Sequence, residues 1–235
     1  MMNLTSINVH YIEDPFYIQE MPLGNNVYVI DNYLPSNVHH HIDRYLDFCG
    51  WQKTNQVLGT TSNRGGLPNH SLWGCSFYSG WKREETEVTG YKPYIIRYLD
   101  RKIQTDFGFR WERFQYAGGN SQTHGQHGTS HADCQPEDNW NLSFLYYTNK
   151  FWNPHWGGKL RMYDRNIQTG ILSDMDDYEL DNIDFVPNRL LMFDGRIPHG
   201  AEAPSENARY IDRRSIVIRG DEISLLSEEQ RYAND

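Results

Sequence analysis

The chain has 235 residues, 38% apolar and 14% aromatic, with 22 basic against 31 acidic side chains and a net charge of −9. That aromatic content can fill a large core, so a disordered chain is excluded, and the acidic balance repels phosphate backbones, so nucleic acid is not expected as a partner. No apolar run approaches the roughly 20 residues of a membrane span and the first residues lack a secretory leader pattern, so no membrane partner and a cytoplasmic setting are expected. Cys49, Cys75 and Cys134 are odd in number and not in CxxC spacing, and read as reduced thiols.

In chain order, VYVIDNYLP (27–35) alternates like a strand and stops at Pro35. SNVHHHIDRYLDFCGW follows as a helix, with Ser36 as N-cap and Gly50 as stop. Residues 58–80 include GTTSNRGGLPNH, show no periodicity and are expected to form a loop or lid, with Arg64 or Trp73 facing a substrate. A helical period through Ile95, Tyr98, Leu99 and Ile103 places a second helix between Tyr91 and Gly108. Five short strands are then expected: Trp111–Tyr116, Leu142–Thr148, Lys159–Tyr163, Arg189–Phe193 and Arg213–Arg219. EISLLSEEQRYAND reads as a terminal helix or tail. The expected fold class is mainly β, an antiparallel barrel or sandwich with flanking helices on one side. One domain over 1–235 is expected, with helical support and loop over 26–110, the barrel over 111–220 and the tail over 221–235. The oligomeric state is left open.

The chemistry is concentrated in His131, Asp133 and His199. His131 and Asp133, two apart, point to one face of an extended chain and can chelate one ion. His199 comes from a later segment, LLMFDGRIPHG, after a strand and a turn. Two imidazoles and one carboxylate leave three positions open, the facial triad of non-haem Fe(II) oxygenases. On RRSIVIR, Arg213, Ser215 and Val217 share one face, while Arg214, Ile216 and Ile218 share the other. The isoleucine face is expected on the helices. The Arg213 face is expected inward, where a guanidinium binds a carboxylate bidentately.

With these motifs the sequence resembles the Fe(II)- and 2-oxoglutarate-dependent oxygenases, and most closely their prolyl-4-hydroxylase-type branch. YAGGN at Tyr116, SFLYYTNKFW, WGGKLRMYD, NRLLMFDGRIPHG and Arg213-x-Ser215 follow that family's motif order, and VYVIDNYLP with its helix resembles the family's entry element. The resemblance covers roughly residues 26 to 220. It implies a double-stranded β-helix core, the jelly-roll or cupin-like fold. It implies that His131, Asp133 and His199 hold Fe(II), and that Arg213, aided by Ser215, binds the 2-oxoglutarate carboxylate. Tyr116 and Tyr147 would hydrogen-bond the cosubstrate, and Leu145 and Leu160 would line its slot. Because the gap after His199 is longer than the family's, Arg209 and Arg214 stay open as alternatives to Arg213. The implied reaction couples conversion of 2-oxoglutarate and O2 into succinate and CO2 to hydroxylation of an unactivated C–H bond, with ascorbate as an accessory reductant. The implied substrate is peptidyl and prolyl-like, with a free amino acid or small metabolite as the alternative. A non-catalytic metal-binding barrel and a zinc hydrolase are the competing classes.

Other features read as structural. His39-His40-His41 diverge around a helix and suit a solvated face. His124 and His127 sit in a Gly-rich loop without fixed geometry and suit a substrate-loop or surface role rather than a second metal pair, and His155 sits in a turn. Asp174, Asp176, Asp177, Glu179 and Asp181 lack the EF-hand spacing and read as a solvated hairpin insertion. Trp140, Trp152, Trp156 and Tyr163 read mostly as core around a dry pocket.

Overall fold

The computed structural model describes residues 16–19, 27–56, 71–80, 89–90, 92–126, 128, 130–134, 141–163 and 179–227. Strands β1 (Phe16–Gln19) and β2 (Val27–Ile30) precede helix α1 (Ser36–Leu46). Strands β3 (Gln52–Gln56), β4 (Ser71–Ser79) and β5 (Thr89–Gly90) lead to helix α2 (Tyr94–Phe107). The remaining strands are β6 (Phe109–Gln122), β7 (Asn141–Tyr147), β8 (Leu160–Tyr163), β9 (Glu179–Ile183), β10 (Leu190–Asp194), β11 (His199–Ala201) and β12 (Arg213–Leu225). The main sheet runs β1-β2-β10-β7-β12-β6-β4-β3, with β5 on β4, and a small sheet runs β11-β8-β9. Every strand pairing among the described residues is antiparallel. This is the mainly-β, helix-flanked architecture of a double-stranded β-helix. Among the described residues no helix is long and apolar enough to cross a membrane.

The period-2 alternation of the central strands builds two cores. Tyr28, Ile30, Phe144, Tyr146, Leu190, Met192, Ile216 and Ile218 meet Ile42 and Leu46 of α1 and Ile96, Leu99, Ile103 and Phe107 of α2. The intervening Val27, Val29, Leu145, Tyr147, Leu191 and Phe193 meet Leu160 and Met162 of the small sheet. Both faces of β7 and β10 are therefore covered, which is why these strands read as near-continuous apolar runs. The isoleucine face of β12 packs on the helices, as its alternation predicts.

Several expectations need correction. Ser71–Ser79 is not loop but strand β4, paired with β6. Its Gly and Ser content and a bulge between Ser76 and Tyr78 mask the alternation. The 57–70 part of the expected lid, Arg64 included, lies outside the described residues. Trp73 sits on β4 opposite Ser121. Among the described residues the C-terminal segment does not turn helical after 220. Strand β12 continues to Leu225 opposite Phe109, past a bulge at Arg219/Gly220 that interrupts its pattern. Residues 228–235 lie outside the description. Helix α1 ends at Leu46 rather than Gly50, and the Trp51 indole N–H donates to the Leu46 carbonyl. Helix α2 stops at Gly108, whose φ of 67° is the left-handed cap.

His39 also departs from the solvated reading. It shares the helix stripe of Ile42 and Leu46 and is buried, with Nδ1 2.6 Å from the Tyr146 hydroxyl and Nε2 3.0 Å from the Asn149 carbonyl. His40 and His41 stay exposed. Glu179 and Asp181 lie on β9, while Asp174, Asp176 and Asp177 fall outside the described residues.

Candidate metal and carboxylate site

Strand β11 and the segment before β7 bring the triad together by backbone pairing. His131 and His199 form an antiparallel bridge, each N–H donating to the other's carbonyl at 2.9 Å. The Asp133 N–H donates to the Gly195 carbonyl at 2.7 Å. One ligand atom from each of His131, Asp133 and His199 then lies within 4.8 Å of the others. His131 Nε2 is 3.6 Å from Asp133 Oδ1, and His199 Nε2 is 3.7 Å from Asp133 Oδ2.

The tautomer of His199 follows from its neighbours. Its Nδ1 is 2.9 Å from the Ile197 carbonyl, which can only accept. Nδ1 therefore carries the proton and Nε2 presents its lone pair to the triad, the arrangement that fixes metal-ligating imidazoles. Burial drops the His199 pKa to about 4, so the ring is a neutral ligand at pH 7. Phe193 packs edge-on against it, ring centroids 4.8 Å apart. The His131 side chain is 38% exposed, so the triad opens to solvent on that side.

Asp133 is buried, and burial alone would raise its pKa. The Arg219 guanidinium, with the two histidines, more than offsets this and holds the carboxyl well below the ordinary carboxylate range. Arg219 Nη1 donates to Asp133 Oδ1, and the Ser143 hydroxyl donates to Oδ2 at 2.5 Å. The Arg219 guanidinium also stacks on Tyr116, 4.7 Å from the ring centroid. Gly118 leaves space for that ring: a Cβ there would lie 2.1 Å from the Tyr116 hydroxyl. Tyr116 thus belongs to the carboxylate end of the site, and its pKa is raised by burial.

The second pole of the interior surrounds Arg213, 1% exposed. Its Nε donates to the Gly158 carbonyl at 2.7 Å and its Nη1 to Gln122 Oε1 at 2.9 Å. Phe185 and Tyr147 flank the guanidinium at 4.7 and 5.1 Å. Gly158, φ 79°, permits this approach, since a Cβ would meet Arg213 Cδ at 3.0 Å. Arg213 Nη2, the Tyr147 hydroxyl and the Thr148 hydroxyl are buried with no hydrogen-bond partner among the described residues. A buried guanidinium with no carboxylate partner is costly, of the order of several kcal/mol, unless an anion reaches it. The orphaned donors are the mark of a carboxylate site, and the residues fit the distal carboxylate of 2-oxoglutarate. Leu145, Leu160 and Trp152 are buried on this side of the sheet, and Ser215 is buried two residues along β12.

The other two basic candidates lie elsewhere. Arg214 lies on the helix-facing side, with Nη2 and Nη1 each 2.6 Å from Asp43 and Asp47. Arg209 is exposed and lies 3.6 Å from Glu206. His124 bonds the Pro204 carbonyl at 3.1 Å and is not in the triad's cluster. His127 and Trp140 lie outside the described residues. His155 is the middle residue of a short 3-10 turn, Pro154–Trp156, with its N–H donating to the Asn153 side chain. Trp152 and Trp156 pack edge to face at 5.3 Å, and Tyr163 is buried on β8.

Sequence reasoning missed Arg219, Ser143, Gln122 and Gly158. Arg219 was legible in principle, because it shares the inward parity of Arg213 on the same strand. Ser143 is the lone serine in the buried run NLSFLYY. Gln122 needs the β6–β12 register, which places it opposite Arg213.

The family model described as the 2OG-Fe(II) oxygenase superfamily matches residues 115–218. That span holds the triad, Arg213 and Tyr147. No curated protein matches the chain. A prolyl hydroxylase from Trichoplax adhaerens, solved in complex with a hypoxia inducible factor oxygen degradation domain peptide fragment, is 17% identical, with 99% of this chain and 93% of that chain covered and a TM-score of 0.52. A Pseudomonas putida prolyl-4-hydroxylase is also 17% identical, with 93% and 99% covered and a TM-score of 0.52. HygX from Streptomyces hygroscopicus, solved with nickel and 2-oxoglutarate bound, is 10% identical, with 83% and 82% covered and a TM-score of 0.50. At these identities the likeness is one of fold.

Proposed function

We propose that this chain, whose residues 115–218 match the model of the 2OG-Fe(II) oxygenase superfamily, is a 2-oxoglutarate-dependent dioxygenase that hydroxylates an unactivated C–H bond in a peptidyl, prolyl-like substrate. In this reading His131, Asp133 and His199 hold Fe(II) through Nε2, a carboxylate oxygen and Nε2. The bound metal, with 2-oxoglutarate and O2, supplies the oxidising power, releasing succinate and CO2 as one oxygen atom enters the C–H bond.

The protein's own groups bind, orient and shield. Arg213 Nη2 and the Tyr147 hydroxyl take the distal carboxylate, while Gln122 and Gly158 hold the guanidinium in place. Ser215 lies on the inward face beside Arg213 and Tyr116 at the Arg219 end of that face, and Leu145 and Leu160 keep water from the slot. Ser143 and Arg219 fix the orientation of Asp133. No acid–base residue is needed at the target carbon. The single observation that carries the reading is the buried Arg213 guanidinium, with no carboxylate bonded to it among the described residues, in the same interior as the triad. The exposed flank of His131 suits a large substrate, and the Trichoplax neighbour holds a peptide.

The test is mass spectrometry for +16 Da products with Fe(II) and 2-oxoglutarate, on proline-containing peptides and on free amino acids. Hydroxylated peptide with stoichiometric succinate supports the proposal. Hydroxylation confined to free amino acids or small metabolites overturns its peptidyl part, and anaerobic hydrolysis overturns the class.

A further inference from the structure

The helix-facing side of the main sheet carries a cavity of about 430 Å3, remote in register from the Arg213 face, between the end of α1 and strand β4. Tyr45, Phe48, Cys49, Cys75 and Phe77 line it. Neither cysteine touches the triad or the carboxylate pole. Cys49 is half-buried at the mouth beside the exposed Phe48, while Cys75 is 7% exposed at the back, its sulfur against Trp51 and β6. Both cysteines line this one cavity, and the Cys49 thiol donates to the Tyr45 carbonyl at 3.6 Å. The neighbouring Cys75 and the Arg214 guanidinium pull the Cys49 thiol down, whereas Cys49 and burial push Cys75 up. The accessible sulfur is thus the better nucleophile, and the sheltered one keeps its proton.

We propose that Cys49 and Cys75 form a peroxide-sensitive dithiol, a modification site in which Cys49 reacts first and Cys75 resolves the product to a disulfide. The oxidant is a hydroperoxide, ROOH. The Cys49 sulfur attacks one peroxide oxygen, an S–O bond forms, the O–O bond breaks and ROH leaves with the thiol proton. Cys75 then attacks the Cys49 sulfenic sulfur, an S–S bond forms, and hydroxide leaves with the Cys75 proton as water. Two thiols and ROOH thus give one disulfide, ROH and H2O, with two electrons passing from sulfur to oxygen. Across the shared cavity the two sulfurs must close to about 2.05 Å. The resulting link would tie the turn after α1 to β4, which pairs with β6 through Cys75 and Gly119.

The full-length, metal-free protein is treated with hydrogen peroxide, then alkylated and mapped without reduction. Expected are a mass loss of 2 Da, a cross-linked Cys49–Cys75 peptide and one remaining alkylatable thiol, Cys134. In Cys75→Ser, dimedone captures a sulfenic acid at Cys49. In Cys49→Ser, oxidation of Cys75 slows at least about tenfold. Three alkylatable thiols after treatment overturn the proposal, as does oxidation starting at Cys134, or Cys49 over-oxidised while Cys75 still alkylates. The wild-type result stands without either variant.

Discussion

Two arginines on one face of β12 sit in opposite circumstances. Six residues apart, roughly 20 Å along a strand, Arg219 and Arg213 bound the interior between them. Arg219 meets a buried carboxylate, Asp133, that Ser143 also satisfies. Arg213 meets a carbonyl and an amide oxygen, and its Nη2 and the neighbouring Tyr147 hydroxyl are left over. The first pole is closed electrostatically by the chain itself. At the second, no described carboxylate bonds to the guanidinium. A site for a metal and a dianion is therefore visible as one balanced end and one unbalanced end.

The comparison breaks most sharply at Arg219. Arg219→Met leaves the Asp133 carboxylate buried without its cation, which costs the metal-free protein about 3–5 kcal/mol. Chemical denaturation reads the loss, and Mn(II) restores most of it, because the ion replaces the missing charge. If metal-free stability is unchanged, Arg219 is not the counter-ion. At the other pole, Arg213→Met costs the metal-free fold less than Arg219→Met. It weakens 2-oxoglutarate by about 3 kcal/mol, roughly 150-fold, as removal of a charge-assisted pair requires. Equal affinity in titration calorimetry would remove Arg213 from the slot.

Tyr147→Phe sharpens the contrast, since its hydroxyl has no partner to lose. Metal-free stability stays level or rises slightly, while 2-oxoglutarate affinity falls about five- to tenfold, the size of one hydrogen bond. A marked loss of stability would mean that the hydroxyl is already satisfied by the fold. The smallest effect belongs to the opposite face of the strand. Arg214→Ala removes ion pairs to Asp43 and Asp47 and costs about 1 kcal/mol, with 2-oxoglutarate affinity within twofold of wild type. A large change in that affinity would mean that the inward face has been misassigned.

Much of this was legible in the amino-acid order. The alternation of RRSIVIR separates the isoleucines on the helices from the arginine in the interior, because pleating allows no other division once one face is buried. His131, Asp133 and His199 were found by residue type and spacing, and their convergence follows from a backbone bridge between the two histidines. Other features were hidden for physical reasons. Strand β4 is rich in Gly and Ser and carries a bulge, so its period cannot be read. The extension of β12 lies beyond another bulge. His39 looks like a surface histidine until Tyr146 and Asn149 are seen to hold both ring nitrogens. Gln122 and Gly158 act on Arg213 from strands and turns distant in sequence, a relation set by register and a left-handed glycine rather than by local pattern.

The account's central claim is that one interior joins a three-residue metal site to the Arg213 carboxylate pole. Anaerobic addition of Fe(II) and 2-oxoglutarate tests this most directly. A weak visible charge-transfer band should appear only when both are present, vanish in His199→Ala, and need a far higher 2-oxoglutarate concentration in Arg213→Met. A wild-type protein that shows no such band, or variants that show it undiminished, would contradict the claim.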